Sequence, residues 1–350
     1  MTSAGPYRSH RHPAGRRRAP TSVRGPGELV AAVPVLLGFH PERSLVVVST
    51  HGPGLRTVGV TLRADLPDPA TADDVGELCE TVARSLVDAA GPGPLGAAVV
   101  VVDDPIDGGA PPGVPALVEA TAEALLAAGV SVVGTRVWAA STTAGAAWAC
   151  TAPCDCTGTV ADADALPLTA AAVVAGAVVR ASRAEIVASL QAPDAAGLRR
   201  RAALFDRELE LRAACRDETA RADTLESALT ATAAGTLVLD DATVLDLAVA
   251  LQTPGVRDAA LRECIGPRAA VAEQLWAALV RETPEPESAE AAALLAVAAL
   301  ARGDGALANI AVDRASQAWP GHRLAEALAE ALGNGFGPVQ VRAWLVDGPS

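Results

Sequence analysis

The chain has 350 residues, half of them apolar but only 3% aromatic, and a formal charge of -13 at pH 7. That length exceeds one ordinary core, so the composition predicts two domains with interiors built from Ala, Val and Leu. The charge argues against a folded body that binds nucleic acid or anionic lipid. Six of the 28 basic residues (Arg8, Arg11, Arg16, Arg17, Arg18 and Arg24) lie in the first 26 positions, which hold no acid, leaving 22 basic against 41 acidic side chains elsewhere.

Every basic side chain is Arg and none is Lys, which reads as the coding bias of a GC-rich genome. No apolar stretch of signal-peptide type follows the basic start. The longest apolar runs, residues 170–179 and 291–301, fall well short of the roughly 20 needed to span a bilayer. The expectation is a soluble, cytoplasmic protein whose six cysteines are thiols or metal ligands.

Residues 1–26 have the composition of a disordered basic tail. Residues 28–37 predict a helix broken or restarted at Pro34 and stopped by Gly38, and 44–50 a buried strand with a hairpin partner at 57–62. Thr71 and Asp74 predict a capped helix ending at Gly91. Residues 97–102 form a continuously apolar strand, 114–128 a helix, 130–139 a strand and 146–151 its antiparallel return. The fold class over residues 27–160 is therefore α/β, a mixed sheet with flanking helices.

After Cys156 the strand signal fades, and residues 161–345 predict an all-helical domain. It comprises helices at 169–180 and 183–191, with Ser182 and Glu185 as a capping box, and one long charged helix at 198–229. Further helices follow at 242–252, 254–265, 268–281, 288–302, 305–318 and 322–332. The pair at 288–318, joined by Gly303 and Asp304 with small residues at Ala296, Ala308 and Ala315, approximates a tetratricopeptide hairpin.

Familiar catalytic signatures are missing. Without lysine there is no P-loop, and the G-x-G-x-x-G match at 91–96 follows a helix instead of a strand. Cys150, Cys154 and Cys156 are the densest group of reactive residues; on an extended segment Cys154 and Cys156 point to one side, as two ligands of a soft metal must. Structural thiols, a zinc site and redox chemistry are the three readings of that cluster. Asp103 and Asp104 end the most buried strand, where α/β sheets place ligands, although Asp-Asp-Pro equally starts a loop. His40 sits in a Phe-His-Pro corner, as a catalytic residue or one satisfying loop carbonyls. Arg257-Asp258 and Asp313-Arg314 are neighbours on helices and so serve separate contacts, ion pairs by default or an anion site in a groove.

Four stretches together resemble the actinobacterial family known as domain of unknown function 4192. They are PVLLGFHPERSLVVV from Pro34, WACTAPCDCTG from Trp148, PGVRDAAL around Arg257 and Asp258, and GDGALANIAVDRASQAWPGHRLA from Gly303. The resemblance runs from about residue 27 to 332. It departs at the cysteines, where that family is expected to carry adjacent cysteines before a proline; here Asp155 intervenes and Thr157 follows. It implies the two-part architecture and a bacterial cytoplasm, with no activity attached.

Two function classes follow. The first is a non-enzymatic binding or scaffold protein that needs no cofactor and presents a helical groove to a protein or small molecule, with His40, Asp103, Asp104, Arg257, Asp258, Asp304 and Arg314 as candidate ligand contacts. The second is a metal-assisted hydrolase using Asp103 and Asp104, or zinc at Cys150, Cys154 and Cys156.

Overall fold

The computed structural model describes residues 23, 25–55, 57–66, 72–90, 93–151, 154, 156–174, 178–214, 217–333 and 336–347. Nearly all of the basic tail, Thr71 of the expected cap, the Gly91 stop and Asp155 lie outside them.

The first helix, α1 (Pro26–Leu37), runs through Pro34 without the expected break. Proline removes one helical hydrogen bond, but residues 29–34 are all buried and their packing outweighs the loss. The helix ends as expected at Gly38, whose φ of 84° is the left-handed conformation that glycine tolerates. β1 (Ser44–His51) and β2 (Thr57–Asp65) form the hairpin. α2 (Ala72–Ala90) leads to β3 (Gly96–Val102), and α3 (Val114–Ala127) crosses over to β4 (Ser131–Ala139). β5 (Ala147–Cys150) returns antiparallel, and β6 (Thr157–Thr159), too short to show a period in sequence, pairs beside it.

The six strands make one mixed sheet in the order β2-β1-β3-β4-β5-β6, with β3 and β4 as the parallel pair. Alternation sorts the two central strands. Leu45, Val47, Val99 and Val101 face the cluster formed with α2 and α3, while Val46, Val48, Val100 and Val102 face α1. The second face is closed by Val160, Leu166 and Leu168, the last in α4 (Pro167–Val174). Packing of the α/β half thus continues past residue 160. The expected helix at 169–180 is shorter, because Arg180 is held in extended backbone beside Phe39.

The second half is helical throughout its described residues. α5 (Arg183–Ser189) starts at Ser182, whose hydroxyl accepts the Glu185 N–H at 3.2 Å. The single helix expected at 198–229 is two, α6 (Ala195–Ala214) and α7 (Glu218–Ala233). Asp217 accepts the Ala220 N–H at 3.0 Å and begins a new helix. Then come α8 (Asp241–Leu251), α9 (Pro254–Glu263), α10 (Ala269–Glu282), α11 (Ser288–Arg302), α12 (Gly305–Ala318), α13 (Arg323–Gly333) and α14 (Pro338–Asp347), which the sequence pattern did not suggest.

α11 is buried around its whole circumference, its side chains packed by α10, α12, α13 and α14. Its alanines let those neighbours approach without a large side chain between them. At one margin, buried Arg201 ties α6 to the elements around it. It donates to the Asp241 carboxylate (2.9 Å), the Leu239 carbonyl (2.7 Å), the Glu282 carbonyl (2.9 Å) and the Glu282 carboxylate.

The halves are joined at the corner after α1. Arg180 N–H donates to the Gly38 carbonyl at 2.8 Å, and His40 N–H donates to the Arg180 carbonyl at 3.1 Å. Between them Phe39, 5% exposed, belongs to the helical core with Ile186, Leu190 and the residues of α11 and α12. Phe39→Ala should cost about 3–5 kcal/mol and loosen one half from the other. Urea unfolding followed by circular dichroism should then broaden or split, whereas an unchanged single transition would show that the corner does not couple the halves.

Candidate functional site

The residues singled out from sequence are spread over several separate places. His40 points back to the α/β half, where its Nδ1 lies 2.8 Å from the Thr142 hydroxyl; its contact is this hydroxyl and not the expected loop carbonyl. Asp103 turns its carboxylate onto the Asp104 N–H at 3.0 Å, and its carbonyl accepts the Trp138 indole N–H at 3.0 Å. This is the loop-starting behaviour that competes with a ligand role, and Asp104 is exposed.

Asp304 caps α12 through the Leu307 N–H (2.9 Å) and accepts from Arg302 at 2.9 Å. The neighbours Asp313 and Arg314 do serve separate contacts. Asp313 pairs with Arg183 at 3.2 Å, and Arg314 with Glu285 at 2.7 Å. Arg257 reaches from α9 toward Glu290 on α11 at 3.9 Å, while Asp258 is exposed.

The cysteines are gathered by the β5–β6 hairpin. Ala149 pairs with Thr157, which places Cys150 opposite Cys156, and the Cys150 N–H donates to the Cys156 carbonyl at 2.8 Å. The Cys154 sulfur joins them, so that all three Sγ atoms lie within 4.8 Å of one another. Burial pushes the Cys150 thiol up to about 12, and the adjacent Cys154 and Cys156 add to the shift, because a thiolate there would be poorly solvated and beside others. At the hairpin base, the Trp148 indole N–H donates to the Thr159 carbonyl at 2.9 Å. A Cβ at Gly158 would sit 2.7 Å from that ring, and one at Gly27 2.9 Å from its nitrogen, so both positions need glycine. Cys79 and Cys264, by contrast, are buried in the two cores and bonded to Thr121 and to backbone carbonyls.

A further site lies in the helical half, and of the residues singled out from sequence Arg257 is the one shown to reach it, through Glu290. A cavity of about 140 Å³ opens between α8, α10 and α11, walled by Leu251, Leu279, Pro286 and Trp319 and by the polar Gln252, Thr283, Glu287 and Glu290. His322 is 6% exposed and holds Glu290 in place. The Ala325 N–H donates to its Nδ1 at 3.3 Å, which leaves Nε2 as the protonated nitrogen, and Nε2 lies 3.0 Å from Glu290 Oε2. The same imidazole thereby caps α13. Trp319 packs edge-on against it, ring centroids 5.4 Å apart. The other carboxylate oxygen, Glu290 Oε1, is buried with no hydrogen-bond partner among the described residues.

His322 was legible as the one histidine of the helical half and lies in the Gly303–Ala325 stretch quoted above. Glu290 carried no signal, being one acid in an alanine-rich run. Its meeting with Arg257, Trp319 and His322 depends on how three helices cross.

The chain thus combines a mixed sheet with flanking helices in its N-terminal half and an all-helical C-terminal region that carries a recess of about 140 Å³. A family model described as a domain of unknown function (DUF4192) matches residues 26–339, and the chain belongs to that family. No curated protein and no solved structure matches it.

His322→Ala would remove both a helix cap and the donor that hydrogen-bonds the Glu290 carboxylate, at a cost of about 2–3 kcal/mol. The urea midpoint should fall accordingly. His322→Asn, which keeps a capping group, should recover part of the loss; equal losses in the two variants would rule out the capping role.

Proposed function

We propose that the protein is a non-enzymatic binding protein whose helical half takes up a small organic cation, an ammonium group carried on an apolar body. The observation behind this reading is Glu290 Oε1, a buried acceptor without a hydrogen-bond partner among the described residues, on a side chain that lines a cavity of mixed apolar and acidic character. A buried acceptor left unpaired costs about 1–3 kcal/mol, and a ligand N–H would recover that cost on binding.

Arg257, at 3.9 Å, balances the carboxylate charge from beyond hydrogen-bonding distance and leaves the oxygen available to a ligand. Trp319, half exposed at the cavity, offers the aromatic surface that cations favour. The acidity of the chain outside its tail would draw cations toward it.

The Asp103 and Asp104 version of a metal-assisted hydrolase gains no comparable support, since Asp103 spends its carboxylate on its own turn. A GC-rich bacterial cytoplasm suits the lysine-free composition and the thiol state of the described cysteines.

A panel of alkyl and aryl amines, with the matching alcohols and carboxylates, tests the reading by thermal shift and saturation-transfer NMR. Amines should stabilise the protein selectively. Glu290→Gln, which keeps an acceptor for His322, should weaken that binding at least about tenfold. Stabilisation by the carboxylates instead, or amine binding undiminished in Glu290→Gln, would discard it.

A further inference from the structure

The thiols of Cys150, Cys154 and Cys156 lie far outside the cavity just described, at the edge of the sheet, and packing does not account for them. Buried cysteines behave as small apolar residues, and that explains Cys79 and Cys264, which are 1% exposed. Cys154 and Cys156 are exposed, so their sulfurs contribute little to a core, yet the chain brings both against Cys150.

We propose that these three sulfurs bind one thiophilic metal ion of the zinc type. Two sulfurs held by one tetrahedral zinc at about 2.3 Å stand about 3.8 Å apart. Three sulfurs already within 4.8 Å of one another reach that spacing by movements of about an ångström.

The hairpin supplies the preorganisation. Cys150 and Cys156 are fixed across from each other by the Ala149–Thr157 pairing and by the Cys150 N–H bond to the Cys156 carbonyl. The Cys154 sulfur lies within 4.8 Å of both. Trp148 locks the base of the hairpin through the Thr159 carbonyl and the close approach of Gly158.

The number of sulfurs separates this reading from a redox one. A disulfide needs two, and a third thiol at the same point is left over; a metal ion uses all three and retains a fourth position for water. On binding, three S–H bonds ionise, three sulfur–metal bonds form and three protons pass to solvent. No oxidant or reductant enters the balance.

The test uses the full chain, reduced and freed of metal with a chelator, then titrated with Zn²⁺ and separately with Co²⁺. Iodoacetamide labelling is mapped by mass spectrometry at each step. The expected result is about one metal ion per chain, a cobalt–thiolate charge-transfer band, and at least about tenfold slower labelling of Cys154 and Cys156 once Zn²⁺ is present. In a Cys154→Ser/Cys156→Ser double variant, checked for folding by circular dichroism, uptake and band should vanish. Labelling of the wild-type chain decides the matter even if that variant misfolds. Labelling rates indifferent to Zn²⁺, or a disulfide between two of the three in protein isolated under argon, would overturn the assignment.

Discussion

The structure depends on one short corner, Gly38-Phe39-His40, where a single turn of chain belongs to both halves at once. The backbone of Gly38 and His40 brackets Arg180, Phe39 sits in the helical core, and the His40 imidazole reaches Thr142 in the α/β half. An aromatic ring is the largest apolar anchor a residue can offer, and the chain has few to spend. Committing one of three phenylalanines here fixes the path of the strand that follows, because β1 starts only a few residues later.

The scarcity of aromatics also shapes the helical half. A core made mainly of Ala and Leu gains little area per residue, so it gains stability by bringing helices close around α11 and leaving few exposed faces on it. Polar groups at the margins then hold direction. Arg201 bonds to two carboxylates and two carbonyls, and His322 and Glu290 join α13 to α11. Each of these bonds fixes the approach of one helix to another more narrowly than alanine packing alone would.

Much of the fold was legible in the sequence. The β1–β2 hairpin, β3, α3 and β4 follow from continuous apolar runs bounded by turn residues, since strand period and length survive in a single chain reading. The misreadings share a cause. Pro34 stays helical because of packing, Asp217 divides a helix whose charge pattern looked continuous, and β6 and α14 exist through tertiary contacts. The sites divide in the same way. Cys150, Cys154 and Cys156 were visible because their neighbourhood is local, and the separate pairing of Asp313 and Arg314 followed from helical geometry. The cavity at Glu290 was hidden because its walls come from segments up to about 70 residues apart, and no local pattern encodes how helices cross.

The brevity of β6 has a consequence for how molecules of this protein meet one another. An exposed sheet edge is a template for strand addition and hence for aggregation. Here the edge strand has three residues, centred on a glycine that lies beneath the Trp148 ring, and its Thr159 carbonyl is already taken by the indole. Little free backbone remains along that margin for a foreign strand to copy. The same indole that steadies the hairpin therefore also shields this edge of the sheet, opposite the β2 edge, from strand addition.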